Sequence, residues 1–345
     1  MQKLDLLIEE YKKSEDIAAL SVSVTDREKT LYLGGFGAQS VTRPEARVTG
    51  NTLFRIASIT KLFTGITVLK LCEGGLLELD APIKKHLPGL TLSNRDATES
   101  VTMRHLLSHT AGLPSEYTPN GEGEEAMLGE VLQSALPTLE LIGAPGEKYL
   151  YSNWGIRLAS LVASEITGKP FSQLCNDLLI EPLGLKDTTF SLAVALRRPL
   201  CFPHERDGGG GYRQLPKINE NATRLATGGL FSSARDLAAF GRMLLCDGVS
   251  EDGKRIVKGE WLSEMRKWIS TTKTGNGYGL TTIIYPCESG FLYGHTGFAP
   301  PYNSALLYDL EGGLAVSVLA NTESKKSKDL AKEILNTVKA TKNES

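Results

Sequence analysis

Clusters of basic residues are absent from this sequence, and charge of neither sign dominates it. The 345 residues include 38 Lys and Arg and 40 Asp and Glu, which gives a formal net charge of −2 at pH 7. Proteins that bind nucleic acids or acidic membranes usually present a basic face to the partner. The composition therefore argues against both kinds of partner and favours a small neutral substrate.

Cysteine is scarce, and its spacing excludes two common uses. The five cysteines are odd in number and never form a CxxC pair, so neither a zinc knuckle nor a disulfide framework is expected. A phosphate-binding loop, a dinucleotide fingerprint and an HExxH pattern are also absent. His105 and His109 lie at helical spacing, but capping and packing of the following turn explain them without a metal. We expect no cofactor, and reduced thiols at Cys72, Cys175, Cys201, Cys246 and Cys287.

Long hydrophobic runs are absent as well. No stretch approaches the roughly 18 uninterrupted apolar residues of a membrane-spanning helix. The N-terminal stretch MQKLDLLIEEYKKSE places Leu4, Leu7, Ile8 and Tyr11 at helical spacing. This pattern predicts an amphipathic helix rather than the apolar segment of a signal peptide. On these grounds the sequence predicts a cytoplasmic protein with no membrane partner.

Predicted strands lie at both ends of the chain, and predicted helices lie between them. Strand patterns occur at AALSVSVTD and TLYLGGFG, and later at YGLTTIIY, GFLYGHTG, NSALLYDL and LAVSVLAN. The economical architecture is α+β: one antiparallel sheet flanked by helices, with an inserted, mostly helical domain. We assign residues 1–79 and 226–345 to the sheet domain and residues 80–225 to the helical domain. The stretch ERDGGGGYRQ is predicted to be a flexible surface loop.

The stretch LFRIASITKLFTGI carries a serine and a lysine three residues apart. On a helix, Ser58 and Lys61 would share one face, with Cβ atoms roughly 5–6 Å apart. A serine hydroxyl becomes a good nucleophile when a neighbour takes its proton, and lysine can do so when burial lowers the pKa of its amine. The ordinary alternative is that Ser58 caps the helix and Lys61 is a solvated first-turn residue.

The same SxxK spacing recurs at Ser270 and Lys273, where a literal KTG follows at residues 273–275. This second copy lies in a stretch rich in Thr, Gly and Asn, ahead of a predicted strand. Such composition is typical of a hairpin or surface loop. We therefore predict that the second copy has no catalytic role.

A second candidate segment, PGEKYLYSNWG, places Tyr151 and Asn153 in a predicted turn before a helix. A tyrosine hydroxyl beside an ammonium group ionises more easily and can shuttle a proton. An asparagine side chain can fix a lysine or a substrate amide. A tyrosine packed at a helix cap is the structural alternative.

A third candidate segment, YGHTGFAPPYNSALLYD, places His295, Thr296 and Gly297 at the end of a predicted strand. Glycine lets a ligand approach the backbone closely. The backbone N–H of Phe298, which comes next, could join that of Ser58 as an oxyanion hole. Taken alone, HTG is equally consistent with a tight turn.

In this order and across these gaps, SxxK, YxN and HTG resemble the serine β-lactamase-like, penicillin-binding family. The segments HLLSHTAGLP, EPLGLKDTTF and TGGLFSSARDLAAF are also similar to that family, so the resemblance extends over about residues 15–325. It is strongest for the branch of class C β-lactamases, esterases and D-aminopeptidases. The resemblance implies a β-lactamase/transpeptidase-like fold with its active site in the cleft between the two domains.

The resemblance also implies a role for each matching residue. Ser58 would attack the substrate carbonyl and become acylated. Lys61 and Tyr151 would share the proton transfers, with Tyr151 deprotonating water for deacylation. Asn153 would position Lys61 and the substrate. The backbone N–H groups of Ser58 and Phe298 would hold the oxyanion.

His295 departs from the pattern, because many members of that family carry lysine there. Neutral histidine is a poorer partner than lysine for the carboxylate of a penicillin or a peptide C-terminus.

We therefore expect a serine hydrolase that cleaves small esters, amides or peptides through an acyl-enzyme on Ser58. A D,D-carboxypeptidase or β-lactamase is one alternative, with acyl transfer to another acceptor also open. A catalytically silent ligand-binding relative is the alternative of another class. The sequence leaves the oligomeric state open.

Overall fold

The structure is a computed structural model. It describes residues 2–115, 125, 128–218, 221–288, 290–324 and 326–343. Among these residues, no helix combines the length and the apolar character needed to cross a membrane.

The strands are β1 (Leu20–Asp26), β2 (Thr30–Phe36), β3 (Ala38–Ser40), β4 (Arg43–Arg47), β5 (Phe54–Arg55), β6 (His204–Arg206), β7 (Tyr212–Gln214), β8 (Phe231–Ser232), β9 (Ser270–Thr271), β10 (Gly277–Tyr278), β11 (Ile283–Cys287), β12 (Gly290–Ala299), β13 (Tyr302–Asp309) and β14 (Leu314–Ala320). Strands β1, β2 and β9–β14 form one antiparallel sheet of eight strands, in the order β2-β1-β14-β13-β12-β11-β10-β9.

The two ends of the chain meet in this sheet, as the sequence predicts. Strand β1 pairs with β14, and Val22 lies opposite Val318. On its other side, β1 pairs with β2. The predicted α+β class, an antiparallel sheet flanked by helices, is therefore confirmed.

The α-helices are α1 (Gln2–Ser14), α2 (Thr60–Glu73), α3 (Arg95–Ser100), α4 (Met103–Leu107), α5 (Leu128–Ala135), α6 (Asn153–Thr167), α7 (Phe171–Cys175), α8 (Leu192–Ala195), α9 (Leu225–Gly228), α10 (Ala234–Leu245), α11 (Gly259–Met265) and α12 (Ser327–Asn343). Short 3-10 helices occur at Ala57–Ile59, Ile83–Lys85, Leu136–Thr138 and Ala222–Arg224, and a π-helical turn at Asn176–Ile180.

Helices cover both faces of the sheet. Side chains of α1 and α12, such as Ile8 and Ile334, are buried in one cluster with β1 and β14. Side chains of α2 and α10, such as Phe63 and Phe240, belong to a larger cluster on the other face, where their rings stack 4.1 Å apart. Because both faces are covered, all seven residues of β14 are buried, and all of them except Ser317 are apolar.

Two local predictions differ from the structure. Residues 205–214, predicted to be a flexible surface loop, form a loop only in part: β6 and β7 pair as a hairpin, and the Asp207 carboxylate accepts the backbone N–H groups of Gly209 and Gly211 at 2.8 and 2.9 Å. Residues 278–285 do not form one strand. Thr281 has a φ of +55°, which breaks the run between β10 and β11. The division into domains at residues 79/80 and 225/226 stays a prediction.

Candidate active site

Ser58 lies in the 3-10 turn Ala57–Ile59, directly before α2. Ala57 has a φ of +47°, an unfavourable conformation for a residue with a side chain. The cap of α2 is Ile59, and no side chain caps the helix there. The interpretation of Ser58 as a helix cap is therefore wrong, and its hydroxyl is available for other contacts.

Lys61 and Tyr151 converge on the Ser58 hydroxyl. The Lys61 Nζ atom lies 3.0 Å from Ser58 Oγ, and Tyr151 Oη donates a hydrogen bond to the same oxygen at 3.1 Å. Lys61 is fully buried, so the alternative of a solvated first-turn lysine is wrong. Its amine also donates to the carbonyl oxygen of Thr227 at 2.8 Å. This carbonyl fixes the amine beside the serine.

Burial determines the charge of the Lys61 amine. It lowers the pKa of Lys61 well below the ordinary value of 10.5, and repulsion from the nearby Arg157 cation lowers this pKa further. The environment therefore favours the neutral amine, which has a lone pair to accept the proton of Ser58. Lysine in this state can act as a general base.

Burial has the opposite consequence for Tyr151, because it disfavours the phenolate. The pKa of Tyr151 rises to about 12 through burial, although the hydrogen bond to Ser58 lowers it in part. The expectation that this phenol ionises more easily than usual is therefore wrong for the resting protein. At neutral pH, Tyr151 is a phenol that donates to Ser58.

His295 is buried on β12 with both ring nitrogens in contact with polar atoms. Its Nδ1 atom lies 2.6 Å from the carbonyl oxygen of Thr296, and its Nε2 atom lies 3.2 Å from Tyr278 Oη. Burial, aided by repulsion from Lys61, lowers the pKa of His295 to about 3. The imidazole is therefore neutral, with Nδ1–H donating to Thr296 and Nε2 accepting from Tyr278. It supplies no cation to the cleft.

Gly297 lets β12 approach the Ser58 turn. A Cβ atom at this position would lie 2.4 Å from the carbonyl oxygen of Ile56 and 2.9 Å from Ala57 Cβ. These distances are too short for any side chain. Glycine therefore sets the spacing between the turn that carries Ser58 and the strand that carries Phe298.

We expect Gly297→Ala to lower kcat for ester turnover by about 10-fold or more, because the strand must move away from Ser58 and a misplacement of about 1 Å is costly. Stopped-flow or steady-state assays with a p-nitrophenyl ester would measure this change. Gly89→Ala is the control, since a Cβ atom there meets no atom within 4 Å. Equal kcat values for the two variants would contradict the argument.

The cleft has two lobes that meet at Ser58. The first, which we call the arginine cavity, has a volume of about 280 Å³ and is lined by Arg55, Arg157 and Arg224 among others. The second, the tyrosine cavity, has a volume of about 460 Å³ and is lined by Tyr151 and His295 among others. The residues that line both lobes are Ser58, Asn153 and Phe298.

The structure thus brings the predicted residues to one cleft, with one difference. Thr296 lines the tyrosine cavity, and Asn153 begins α6 at the centre of the cleft. However, no hydrogen bond joins Asn153 to Lys61 within the described ranges, where Lys61 contacts Ser58 and Thr227 instead. The positioning of Lys61 by Asn153 that the resemblance implies therefore has no direct hydrogen bond behind it and stays a prediction, and sequence reasoning missed the Thr227 carbonyl.

The second SxxK copy does not form a comparable pair. Ser270 lies in β9 and donates to the carbonyl oxygen of Ser108 at 3.2 Å, while Lys273 is exposed in the turn between β9 and β10. The expected hairpin is confirmed. Its turn residues Thr272, Thr274 and Asn276 nevertheless line the tyrosine cavity, which the sequence did not indicate.

The two histidines of the SHTAGLP region are structural, as expected. His105 completes a capping box with Thr102 at the start of α4. His109 accepts the backbone N–H of Ser152 at 3.1 Å through Nδ1, and its ring centroid lies 4.4 Å from that of Tyr151. His109 therefore supports the turn that presents Tyr151. Across the described ranges, no group of three or more His, Cys, Asp or Glu residues is arranged to hold a metal.

Comparison with known proteins identifies the family. The family model described as Beta-lactamase matches residues 4–339. This chain belongs to the β-lactamase family. The match confirms the resemblance inferred from SxxK, YxN and HTG.

Several proteins are similar to this β-lactamase-family chain. Protein flp from Staphylococcus aureus strain MW2 is 26% identical over 325 residues, which cover 94% of this chain and 63% of flp. Penicillin-binding protein 4 from Amycolatopsis lactamdurans is 27% identical over 284 residues, which cover 79% of this chain and 73% of that protein. The chain therefore spans less than two thirds of the length of flp.

A solved structure supports the fold of this β-lactamase-family chain. The octameric penicillin-binding protein homologue from Pyrococcus abyssi superimposes with a TM-score of 0.84 and 26% sequence identity. The superposition covers 98% of this chain and 77% of the other. The α+β arrangement described above is thus the β-lactamase/transpeptidase fold.

Proposed function

We propose that this protein is a serine hydrolase that cleaves small esters or amides through an acyl-enzyme on Ser58. One observation carries the proposal: Lys61 Nζ and Tyr151 Oη lie 3.0 and 3.1 Å from the same serine oxygen. A nucleophile with a proton acceptor and a proton donor on the same oxygen is the arrangement that covalent acyl transfer needs.

Acylation uses Lys61 as the base and Tyr151 as the acid. The neutral Lys61 amine takes the proton of Ser58 as the serine oxygen bonds to the substrate carbonyl carbon. The backbone N–H groups of Ser58 and Phe298 stabilise the negative carbonyl oxygen of the tetrahedral intermediate. The intermediate then expels the leaving group, which receives the proton of the Tyr151 phenol. This step leaves a Lys61 ammonium beside a Tyr151 phenolate.

Deacylation reverses both proton transfers. The Tyr151 phenolate takes a proton from water, and the resulting hydroxide attacks the ester carbon on Ser58. The Lys61 ammonium then returns its proton to the Ser58 oxygen as the acid product leaves. Both groups are restored, so the cycle consumes only substrate and water. The transient ion pair is favourable because the Lys61 Nζ atom lies 5.1 Å from the centroid of the Tyr151 ring.

Penicillin acylation is the second candidate, and the similarity to penicillin-binding protein 4 favours it. The environment of His295 counts against efficient recognition of a penicillin carboxylate, because both ring nitrogens are engaged and the ring is neutral. Small esters and amides without a carboxylate on that side fit the tyrosine cavity better.

Covalent trapping tests the proposal. We expect a fluorophosphonate probe to add one probe mass to the folded protein, and peptide mapping to place the adduct on Ser58. The matched control, Ser58→Ala, should remain unmodified. A folded protein that takes up no probe, or an adduct on Ser270, would refute the proposal. Parallel incubation with a fluorescent penicillin tests the second candidate, since a stable adduct on Ser58 would support it.

A further inference from the structure

The arginine cavity contains a concentration of positive charge that the proposed reaction does not use. Its lining includes Arg55, Arg157, Lys217 and Arg224, and none of its described lining residues is acidic. The whole chain, in contrast, carries a net charge of −2. The positive charge is therefore concentrated in this lobe beside Ser58, since the lining of the tyrosine cavity includes one lysine, Lys328, which lies 3.8 Å from the Asp329 carboxylate.

Two of these cations are fixed within the core. Arg157 is 1% exposed, donates from Nε to the carbonyl oxygen of Thr223 at 2.7 Å, and lies with its guanidinium carbon 5.1 Å from the centroid of the Trp154 ring. Arg55 is 8% exposed and donates from Nε to the carbonyl oxygen of Gly228 at 3.2 Å. Guanidinium groups held in this way lose little freedom when an anion binds.

The other two cations lie at the mouth of the cavity. Lys217 and Arg224 are both exposed, and within the described part of the chain neither forms an ion pair. Burial, aided by repulsion from Arg224, lowers the pKa of Arg157 to about 10. Like charges that face one cavity repel each other, and an anion placed between them would relieve this repulsion.

The roles proposed for the catalytic residues decide which part of the substrate enters this lobe. Tyr151, which protonates the leaving group, lines the tyrosine cavity and does not line the arginine cavity. The leaving group must therefore lie in the tyrosine cavity. Ser58 lines both lobes, so the acyl portion of the substrate extends into the arginine cavity.

We propose that the acyl portion of the substrate carries a carboxylate, which the arginine cavity binds next to Ser58. This inference rests on the proposed hydrolase function and assigns its substrate class: half-esters or half-amides of small dicarboxylic acids. Guanidinium groups match the planar carboxylate well. The opposite lobe, where His295 is neutral, accepts the uncharged leaving group.

A matched pair of esters tests this inference. We expect kcat/KM for p-nitrophenyl hydrogen adipate to exceed that for p-nitrophenyl hexanoate, a neutral ester of equal chain length, by about 10-fold at low salt. The double variant Lys217→Gln, Arg224→Gln should lower this ratio, because it removes two of the four cations that line the cavity and leaves Arg55 and Arg157 in place. Added KCl should lower the ratio for the wild type, because it screens exposed charges. Spontaneous hydrolysis is subtracted with Ser58→Ala.

Control variants separate this lobe from the rest of the surface. Lys273→Gln removes an exposed cation that lines neither cavity, so it should leave the ratio unchanged. A wild-type ratio of one or less, or a ratio that the double variant does not change, would overturn the inference. A ratio that depends on Lys328, which lines the tyrosine cavity, would also overturn it, because the carboxylate would then lie in the wrong lobe.

Failure of the hydrolase proposal gives a different result. In that case neither ester would show turnover that depends on Ser58. Calorimetric binding of monomethyl adipate and methyl hexanoate to Ser58→Ala repeats the comparison without turnover. Tighter binding of the adipate ester that is weakened in the double variant would support the cationic site by itself, and equal binding of the two esters would refute it.

Discussion

Ser58→Ala is expected to lower kcat for a p-nitrophenyl ester by about 10³–10⁶-fold, which is the range seen when an enzyme loses its nucleophile. The substitution removes the atom on which Lys61 and Tyr151 converge, so no acyl-enzyme can form. The protein should stay folded, because Lys61 keeps its hydrogen bond to the Thr227 carbonyl. Steady-state kinetics and circular dichroism of the purified variant would measure both effects.

Ser270→Ala is the matched control for this experiment. Both serines begin an SxxK pattern, but the Ser270 hydroxyl donates to the Ser108 carbonyl and Lys273 is exposed. The control should retain at least about half of the wild-type kcat, because a hydrogen bond of this kind contributes about 0.5–1.5 kcal/mol to stability and nothing to the chemistry. Ser58→Ala with unchanged activity, or a large loss in Ser270→Ala, would reject Ser58 as the nucleophile.

The two SxxK copies show how much of the site the sequence can predict. The apolar residues around Ser58 indicate a buried helix, and the structure buries α2, including Lys61, on nearly every side. The polar and glycine-rich residues around Ser270 indicate a hairpin, which β9 and β10 form. Local composition is sufficient here, because burial of the lysine is the physical difference between a base and a solvated ammonium.

Other features depend on contacts between residues far apart in the chain, and no local pattern encodes them. The carbonyl of Thr227 anchors Lys61 across 166 positions of sequence. The arginine cavity assembles Arg55, Arg157 and Arg224 from three separate segments. A backbone carbonyl has no residue signature, and each arginine by itself reads as an ordinary surface charge. The net charge of the chain, which is near zero, therefore gave no indication of the positively charged arginine cavity.

Local errors have a similar origin. The run at residues 278–285 alternates like one strand, but Thr281 adopts a positive φ and donates its backbone N–H to the carbonyl oxygen of Leu107 at 2.8 Å. This contact with the end of α4 offsets the local preference for extended backbone. The phenol of Tyr151 shows the same limit for electrostatics, since burial raises its pKa by more than the hydrogen bond to Ser58 lowers it.

Replacement of Lys61 is expected to have the second large effect. Lys61→Met removes the base, and Lys61→Arg replaces it with a guanidinium that stays protonated at every accessible pH. We expect both variants to lose about 10²–10⁴-fold in kcat/KM for a neutral ester, which is the usual contribution of general base catalysis. Lys273→Met is the control, because this lysine has the same SxxK spacing but is exposed. Retention of activity in Lys61→Arg would show that a fixed cation suffices and that Lys61 is not the base.

The pH dependence identifies the group that titrates. The neutral amine of Lys61 is the proposed base, and its pKa is lowered from 10.5. The wild-type kcat/KM should therefore fall as the pH drops through this lowered pKa and the amine becomes protonated. His295 cannot produce an acid limb near neutral pH, since its pKa is lowered to about 3.

The stability of the fold should also depend on the titration of Lys61. The unfolded chain binds the Lys61 proton up to about pH 10, so the free energy of unfolding should increase with pH between the two pKa values. Lys61→Met should lack this increase, whereas a wild-type profile in Lys61→Met would assign the titration to another residue.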